Sequence, residues 1–154
     1  MKKKLKTICV IPARGGSKGL PGKNLRLFNG KPLIAWPIIA ATRCKSVDTV
    51  IVTTDSEEIA AQAKLYGATV PALRPSKLAQ DNSTTEATLK YALDKFEQLT
   101  NQYFDICVFL TCTDIFRDIN WITIAVKKLE ENPELDSVFS ACKTHKNFWH
   151  KDKD

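Results

Sequence analysis

ICVIPARGGSKGLPGKN, Ile8–Asn24, sets a short apolar run directly against a glycine-rich, basic loop. Ile8-Cys9-Val10-Ile11 reads as a strand buried on both faces, because no polar residue interrupts it. Val50-Ile51-Val52 and Ile106-Cys107-Val108-Phe109-Leu110 repeat the pattern, each bounded by polar residues. Helical spacings lie between these runs: Ile34, Ile38 and Ala41 share a face, as do Leu89, Ala92, Leu93 and Phe96, and then Ile122, Ala125, Val126 and Leu129. Asp55-Ser-Glu-Glu58 and Ser83-Thr-Thr-Glu86 fit capping boxes, the first opening a helix that Gly67 closes and the second a helix through Phe96. With Val138-Phe139-Ser140 as a further strand, the order becomes β-α-β-α-(short β)-α-β-α-β. That alternation predicts an α/β fold, a Rossmann-like and mostly parallel sheet with helices on both faces. Asn29-Gly30 ahead of Pro32 marks a tight turn. Pro37 either confines regular helical hydrogen bonding to the residues after it or kinks its helix.

In such sheets ligands sit at the carboxyl ends of the strands, and this loop leaves the carboxyl end of the first strand. Gly15, Gly16, Gly19 and Gly22 let backbone N–H groups approach an anion, while Arg14, Lys18 and Lys23 bring positive charge. A Walker A loop is excluded: Gly16 stands one residue too far from Gly22-Lys23, and Asn24 occupies the place of the Ser or Thr. The dinucleotide pattern GxGxxG also fails, because Gly15 and Gly16 are adjacent and no glycine follows at the required third place. The residues alone leave a general anion cradle, with a flexible surface turn as the bland alternative.

Composition narrows the classes. At 154 residues, 44% hydrophobic and 26% charged, the chain fits one soluble domain with a real core. The apolar run Ile8–Ala13 is too short for a signal sequence or a membrane span, so a cytoplasmic location and no membrane partner are expected. Cys9, Cys44, Cys107, Cys112 and Cys142 form no CxxC pair and read as structural thiols. His145 and His150 do not have the i, i+4 spacing of a helical metal pair and read as surface residues. The net charge of +6 raises nucleic acid as a partner. Apart from Lys2–Lys6, however, the lysines are scattered, and no basic stripe with interleaved aromatics appears. Residues 1–6 read as a basic leader, 7–145 as an incomplete nucleotide-binding α/β domain, and 146–154 as a polar tail.

Arg14-Gly-Gly-Ser-Lys-Gly-Leu-Pro-Gly-Lys-Asn24 closely resembles the N-terminal signature of the acylneuraminate cytidylyltransferases, the CMP-sialic acid synthetases. Lys31-Pro-Leu-Ile-Ala-Trp36, Val52-Thr-Thr-Asp-Ser-Glu-Glu-Ile-Ala60 and Arg74-Pro-Ser-Lys-Leu-Ala-Gln-Asp81 follow at family-like spacing. The resemblance covers residues 7 to about 145 and implies a fold of the nucleotide-diphospho-sugar transferase type. It implies transfer of CMP from CTP to a nine-carbon α-keto sugar acid, with pyrophosphate released. It also implies Arg14 and Lys23 as the catalytic triphosphate clamp, with Ala13, Ser17, Lys18 and Asn24 around the nucleotide and Arg74 on its cytidine side. Ser83 matches a nucleotide-contacting hydroxyl, but an N-cap explains it equally well. Thr85, Thr111 and Thr113 match substrate-side positions. For Arg74 the alternative is a surface ion pair, and Asp55 is assigned only its cap.

Leu110-Thr-Cys-Thr-Asp-Ile-Phe-Arg117 departs from the family's Leu-Gln-Pro-Thr-Ser-Pro-Leu-Arg. Thr111 replaces a glutamine that contacts the sugar, so an acid other than N-acetylneuraminic acid, such as a legionaminic-like or pseudaminic-like one, is expected. Family members are longer, and their later half supplies the acidic pair for magnesium and a homodimer contact. The expectation is therefore a C-terminally truncated portion with weak or no turnover, magnesium as a cofactor, and no metal ligand in this chain; Asp152 and Asp154 are poor candidates. The competing readings are another sugar nucleotidyltransferase, such as one for an eight-carbon keto acid, and a non-catalytic nucleotide-binding module.

Overall fold

In a computed structural model of the chain, which describes residues 5–17, 19–79 and 83–141, the run Thr7–Pro12 forms strand β1 and is buried from Thr7 to Ile11. The readings made for the first four residues, Lys18, Asp81, Cys142, His145, His150, Asp152 and Asp154 lie outside the described residues. After β1 come β2 (Leu27–Phe28), β3 (Lys31–Pro32), α1 (Ala35–Arg43), β4 (Thr49–Thr53), α2 (Glu57–Leu65), α3 (Thr85–Thr100), β5 (Ile106–Phe109) and α4 (Ile119–Glu131). The main sheet is parallel, in the order β4-β1-β5. Ile8 stands opposite Thr49 and Pro12 opposite Thr53 on one side of β1. On the other, Thr7 faces Ile106 and Val10 faces Phe109. The short additional strand reduces to one parallel bridge, Thr69 beside Ile51 on the outer edge of β4.

Central position explains the unbroken apolar character of β1, whose alternate side chains meet helices on both faces. Cys9 and Ile11 pack with Ile34 and Ile38 of the α1 region, Ile59 and Ala63 of α2, and Ile122 and Val126 of α4. Ile8 and Val10 pack with Ile51 and with Ala92 and Phe96 of α3. Full burial of such a side chain contributes roughly 1.5–3 kcal/mol, so the two clusters hold the layers together. None of the helices is long and apolar enough to cross a membrane, among the described residues.

Local chemistry sets the ends of the helices. Pro37 falls in the first turn of α1, where its missing N–H has no intrahelical acceptor, so it is accommodated without breaking the helix. Asn29 and Gly30, with φ of 46° and 76°, form the two-residue turn between β2 and β3. Gly67, at φ 95°, lies two residues beyond α2, its N–H donating to the Lys64 carbonyl. Both capping boxes are displaced by one residue from the sequence reading. Ser56, not Asp55, accepts the Ile59 N–H at 3.3 Å, because the Asp55 carboxylate is taken by the N–H of Gly15. Thr84, not Ser83, accepts the Ala87 N–H at 3.2 Å, while the Ser83 hydroxyl donates to the Lys77 carbonyl.

The strand expected over Val138–Ser140 does not form. These residues and β5 line opposite parts of a cavity of about 390 Å³, no pairing between them is formed among the described residues, and Phe139 is 82% exposed.

The caps are open to a direct check. Thr84→Ala should lower stability by about 1 kcal/mol and Ser83→Ala by clearly less, as measured by urea denaturation. The reverse order would restore Ser83 as the cap.

Candidate functional site

Parallel pairing delivers the carboxyl ends of β4, β1 and β5 to one rim of the sheet. Backbone hydrogen bonds extend the alignment into the connecting segments. The Ala13 N–H donates to Thr53 O at 3.0 Å, Leu110 N–H to Val10 O at 3.3 Å, and Arg74 N–H to Thr54 O at 2.7 Å. A polar cleft of about 460 Å³ opens between these segments.

Three stretches distant in sequence line it. Arg14, Ser17, Lys23 and Asn24 come from the basic loop. Arg74, Ser83 and Thr85 come from the approach to α3 and its first turn. Thr111 and Thr113 follow β5. Ala13 does not line the cleft: it is buried beneath the loop, its N–H spent on Thr53.

The loop is held by its own side chains. Asn24 is 5% exposed, and its Nδ2 donates to the Arg14 carbonyl at 2.9 Å, while its backbone carbonyl accepts the Ile34 N–H. The residue read as a nucleotide contact thus also braces the loop from beneath. Gly22, with φ 64°, begins the 3-10 turn Lys23–Leu25 that puts Lys23 on the lining.

Arg74 is 6% exposed and not a surface residue, which sets aside the surface ion pair. Its guanidinium lies 3.9 Å from the Asp55 carboxylate. Burial holds it below the usual arginine value; Asp55 opposes that shift and the neighbouring Arg14 adds to it. The basic groups share the wall with several hydroxyls, and among the described residues no carboxylate lines the cleft. Such a surface suits a polyanion.

Magnesium finds no ligand set among the described residues. No group of three or more His, Cys, Asp or Glu side chains converges among the described residues, and none of the described residues lining the cleft is acidic.

Sequence reasoning missed three neighbours. Thr88 lines the cleft one helical turn after Thr85 and donates to the Thr84 carbonyl; the i, i+3 spacing was its only signal. Cys112 lines it between Thr111 and Thr113. Asp55 supports it from behind.

A profile of the cytidylyltransferase family matches residues 8–150. The chain belongs to that family. It is 46% identical over 123 residues to a CMP-N,N'-diacetyllegionaminic acid synthase of Legionella pneumophila, covering 80% of this chain and 53% of the relative. It is 38% identical to an N-acylneuraminate cytidylyltransferase of Escherichia coli over 92% of this chain and 32% of that one. A pseudaminic acid cytidylyltransferase of Campylobacter jejuni is 38% identical over 75% of the chain and 50% of its own length. The chain therefore spans about half the length of several relatives it matches and less of the Escherichia coli one. A Leptospira borgpetersenii cytidylyltransferase structure superposes with TM-score 0.63 at 25% identity, covering 84% of this chain and 51% of that one. A CMP:2-keto-3-deoxy-manno-octonic acid synthetase structure gives TM-score 0.66 at 24% identity, over 84% and 49%, and shows the shared fold.

The cleft-lining thiol of this cytidylyltransferase family member, Cys112, is buried. Burial pushes Cys112 up to about 12, outweighing the opposing pull of Lys23 and Arg117, and raises Cys9 further. A raised value keeps the thiol protonated throughout the neutral range, whereas an ordinary cysteine ionises near pH ~8.5. Alkylation of the native chain followed by peptide mass spectrometry should show Cys112 and Cys9 unlabelled, with no rise in rate from pH 7 to 9. A steep rise for Cys112 would contradict this assignment.

Proposed function

We propose that this chain is the nucleotide-handling part of an enzyme that transfers CMP from CTP to a nonulosonic sugar acid and releases pyrophosphate. The observation that carries the reading is the cleft where Arg14, Lys23 and Arg74 meet a row of hydroxyls, with no carboxylate in the lining among the described residues. Family membership supports it, as do the activities for which the Legionella and Campylobacter relatives are named.

In this reading the anomeric hydroxyl of the sugar acid attacks the α-phosphorus of CTP in line with the departing pyrophosphate. The protein's contribution is positioning and charge stabilisation. Arg14 and Lys23 grip the triphosphate and stabilise the charge that grows on the leaving group. Arg can hold two phosphate oxygens with its planar fork, whereas Lys acts as a point charge that adjusts as the bond breaks. Ser17 and Asn24 border the same anion. Arg74 and Ser83 take the nucleoside side, while Thr85, Thr111 and Thr113 face the sugar. A hydroxyl at position 111 reaches less far than an amide and cannot present both a donor N–H and a carbonyl. That favours a legionaminic-type or pseudaminic-type acid over N-acetylneuraminic acid, and the 46% identity to the legionaminic acid synthase points the same way.

Magnesium, as the resemblance implies, would further offset the triphosphate charge, but the described residues offer it no ligand set. Homodimerisation of a full-length protein and a cytoplasmic location belong to the same proposal and rest on the resemblance.

Calorimetric titration of CTP, UTP and GTP, combined with pyrophosphate release on a panel of nonulosonic acids, tests the reading. CTP should bind most tightly, and Arg14→Ala and Lys23→Ala should each weaken it about tenfold or more. The 154-residue chain should release little or no pyrophosphate. CTP affinity indifferent to both substitutions would remove the cleft as the triphosphate site, and robust turnover would show that no further segment is needed.

A further inference from the structure

Asp55 stands at the junction of the site's two basic segments and touches both. It follows the buried Thr53 and Thr54 at the end of β4. Ser56 caps α2, and the Thr54 hydroxyl accepts the Ser56 N–H at 3.1 Å, so the turn is complete without the Asp55 side chain. Its Oδ1 is left to accept the N–H of Gly15 at 2.9 Å, and the same oxygen lies 3.9 Å from the Arg74 guanidinium. The carboxylate is behind the cleft and absent from its lining.

Two physical needs meet in this one group. Arg74 is almost fully buried and is further disfavoured by Arg14, so a nearby anion is needed to keep both cations on one wall. The loop must also be held at a fixed distance from α2. A Cβ at Gly15 would stand 3.2 Å from the Ser56 Cβ, so the backbone is already in close contact there and the Gly15 N–H is directed at Asp55. Register makes the meeting possible: Pro12 and Thr53 are paired, and each chain continues two or three residues past that rung.

We propose that Asp55 is a positioning residue for nucleotide binding, one carboxylate that holds the Gly15 segment of the basic loop and the Arg74 guanidinium in a single geometry. This rests on the reading of the cleft as a triphosphate site. The proposal makes a prediction of opposite sign to simple charge addition. A carboxylate near a polyanion site repels the ligand, so its neutralisation should tighten binding if charge alone mattered. Loss of positioning weakens it.

The test titrates CTP and inorganic tripolyphosphate into the wild-type 154-residue chain and into Asp55→Asn, Asp55→Ala, Arg74→Gln and the double variant Asp55→Asn with Arg74→Gln, with urea midpoints measured in parallel. Asp55→Asn keeps an acceptor for Gly15 and loses the charge toward Arg74, while Asp55→Ala loses both. CTP affinity should fall about tenfold in Asp55→Asn, with little change of midpoint, and further in Asp55→Ala. Asp55→Asn should have almost no additional effect when Arg74 is already Gln. Equal or tighter binding by Asp55→Asn, independent effects of the two substitutions, or a lowered midpoint at unchanged affinity would each overturn the proposal. Should Asp55→Ala not fold, the near-isosteric Asp55→Asn carries the decision alone. Failure of the wild type to bind CTP, or its indifference to Arg14→Ala and Lys23→Ala, overturns the cleft reading and this proposal together, and is recognisable without any change at position 55.

Discussion

Everything at the site depends on the parallel pairing of β1 with strands on both of its edges. A strand paired on two sides and packed on two faces has no solvent-facing surface, which requires the apolar sequence Ile8–Ile11 and fixes its register. Parallel strands also point their carboxyl ends the same way. The loops after β1, β4 and β5 consequently leave from one rim, and residues nearly a hundred positions apart, such as Arg14 and Thr113, line one cleft.

That arrangement concentrates positive charge, and the structure shows how it is tolerated. Arg74 is anchored through its backbone to Thr54 and faces Asp55, while the loop carrying Arg14 is tied by Asn24 from one side and by Asp55 from the other. The carboxylate that balances the cations stays out of the lining. Within the cleft wall, the Asn24 amide, the Ser83 hydroxyl and the Thr88 hydroxyl are each held by a backbone carbonyl.

The sheet was legible because β1 and β4 are short continuous apolar runs bounded by polar residues, and because apolar spacing placed the helices between them; β5, on the other edge of the sheet, shares the composition but leaves Cys107 and Phe109 exposed. The errors fall where two local solutions are nearly equivalent. Asp55 and Ser56 can each cap a helix, as can Ser83 and Thr84; the choice was made by partners far away, Gly15 for Asp55 and the Lys77 carbonyl for Ser83. Val138–Ser140 has strand-like composition, but a strand needs a neighbour's backbone, and β5 lies across a cavity from it. Thr88 was overlooked because a threonine inside a helix is ordinary until the rest of the cleft wall is known.

The sequence by itself determined the class of fold, the basic and glycine-rich character of the loop after β1 and, through ordered motif blocks, the cytidylyltransferase family, since each of these is written in contiguous residues and their spacing. Only the tertiary structure decided which polar groups line the cleft and which support it from behind. Asp55 reads locally as a cap and becomes a brace between Gly15 and Arg74; Asn24 reads as a ligand contact and also buttresses the Arg14 carbonyl. The physical reason is that a hydrogen-bonding side chain takes the partner that the fold brings within about 3 Å, and for groups on a sheet rim that partner belongs to a different strand's loop.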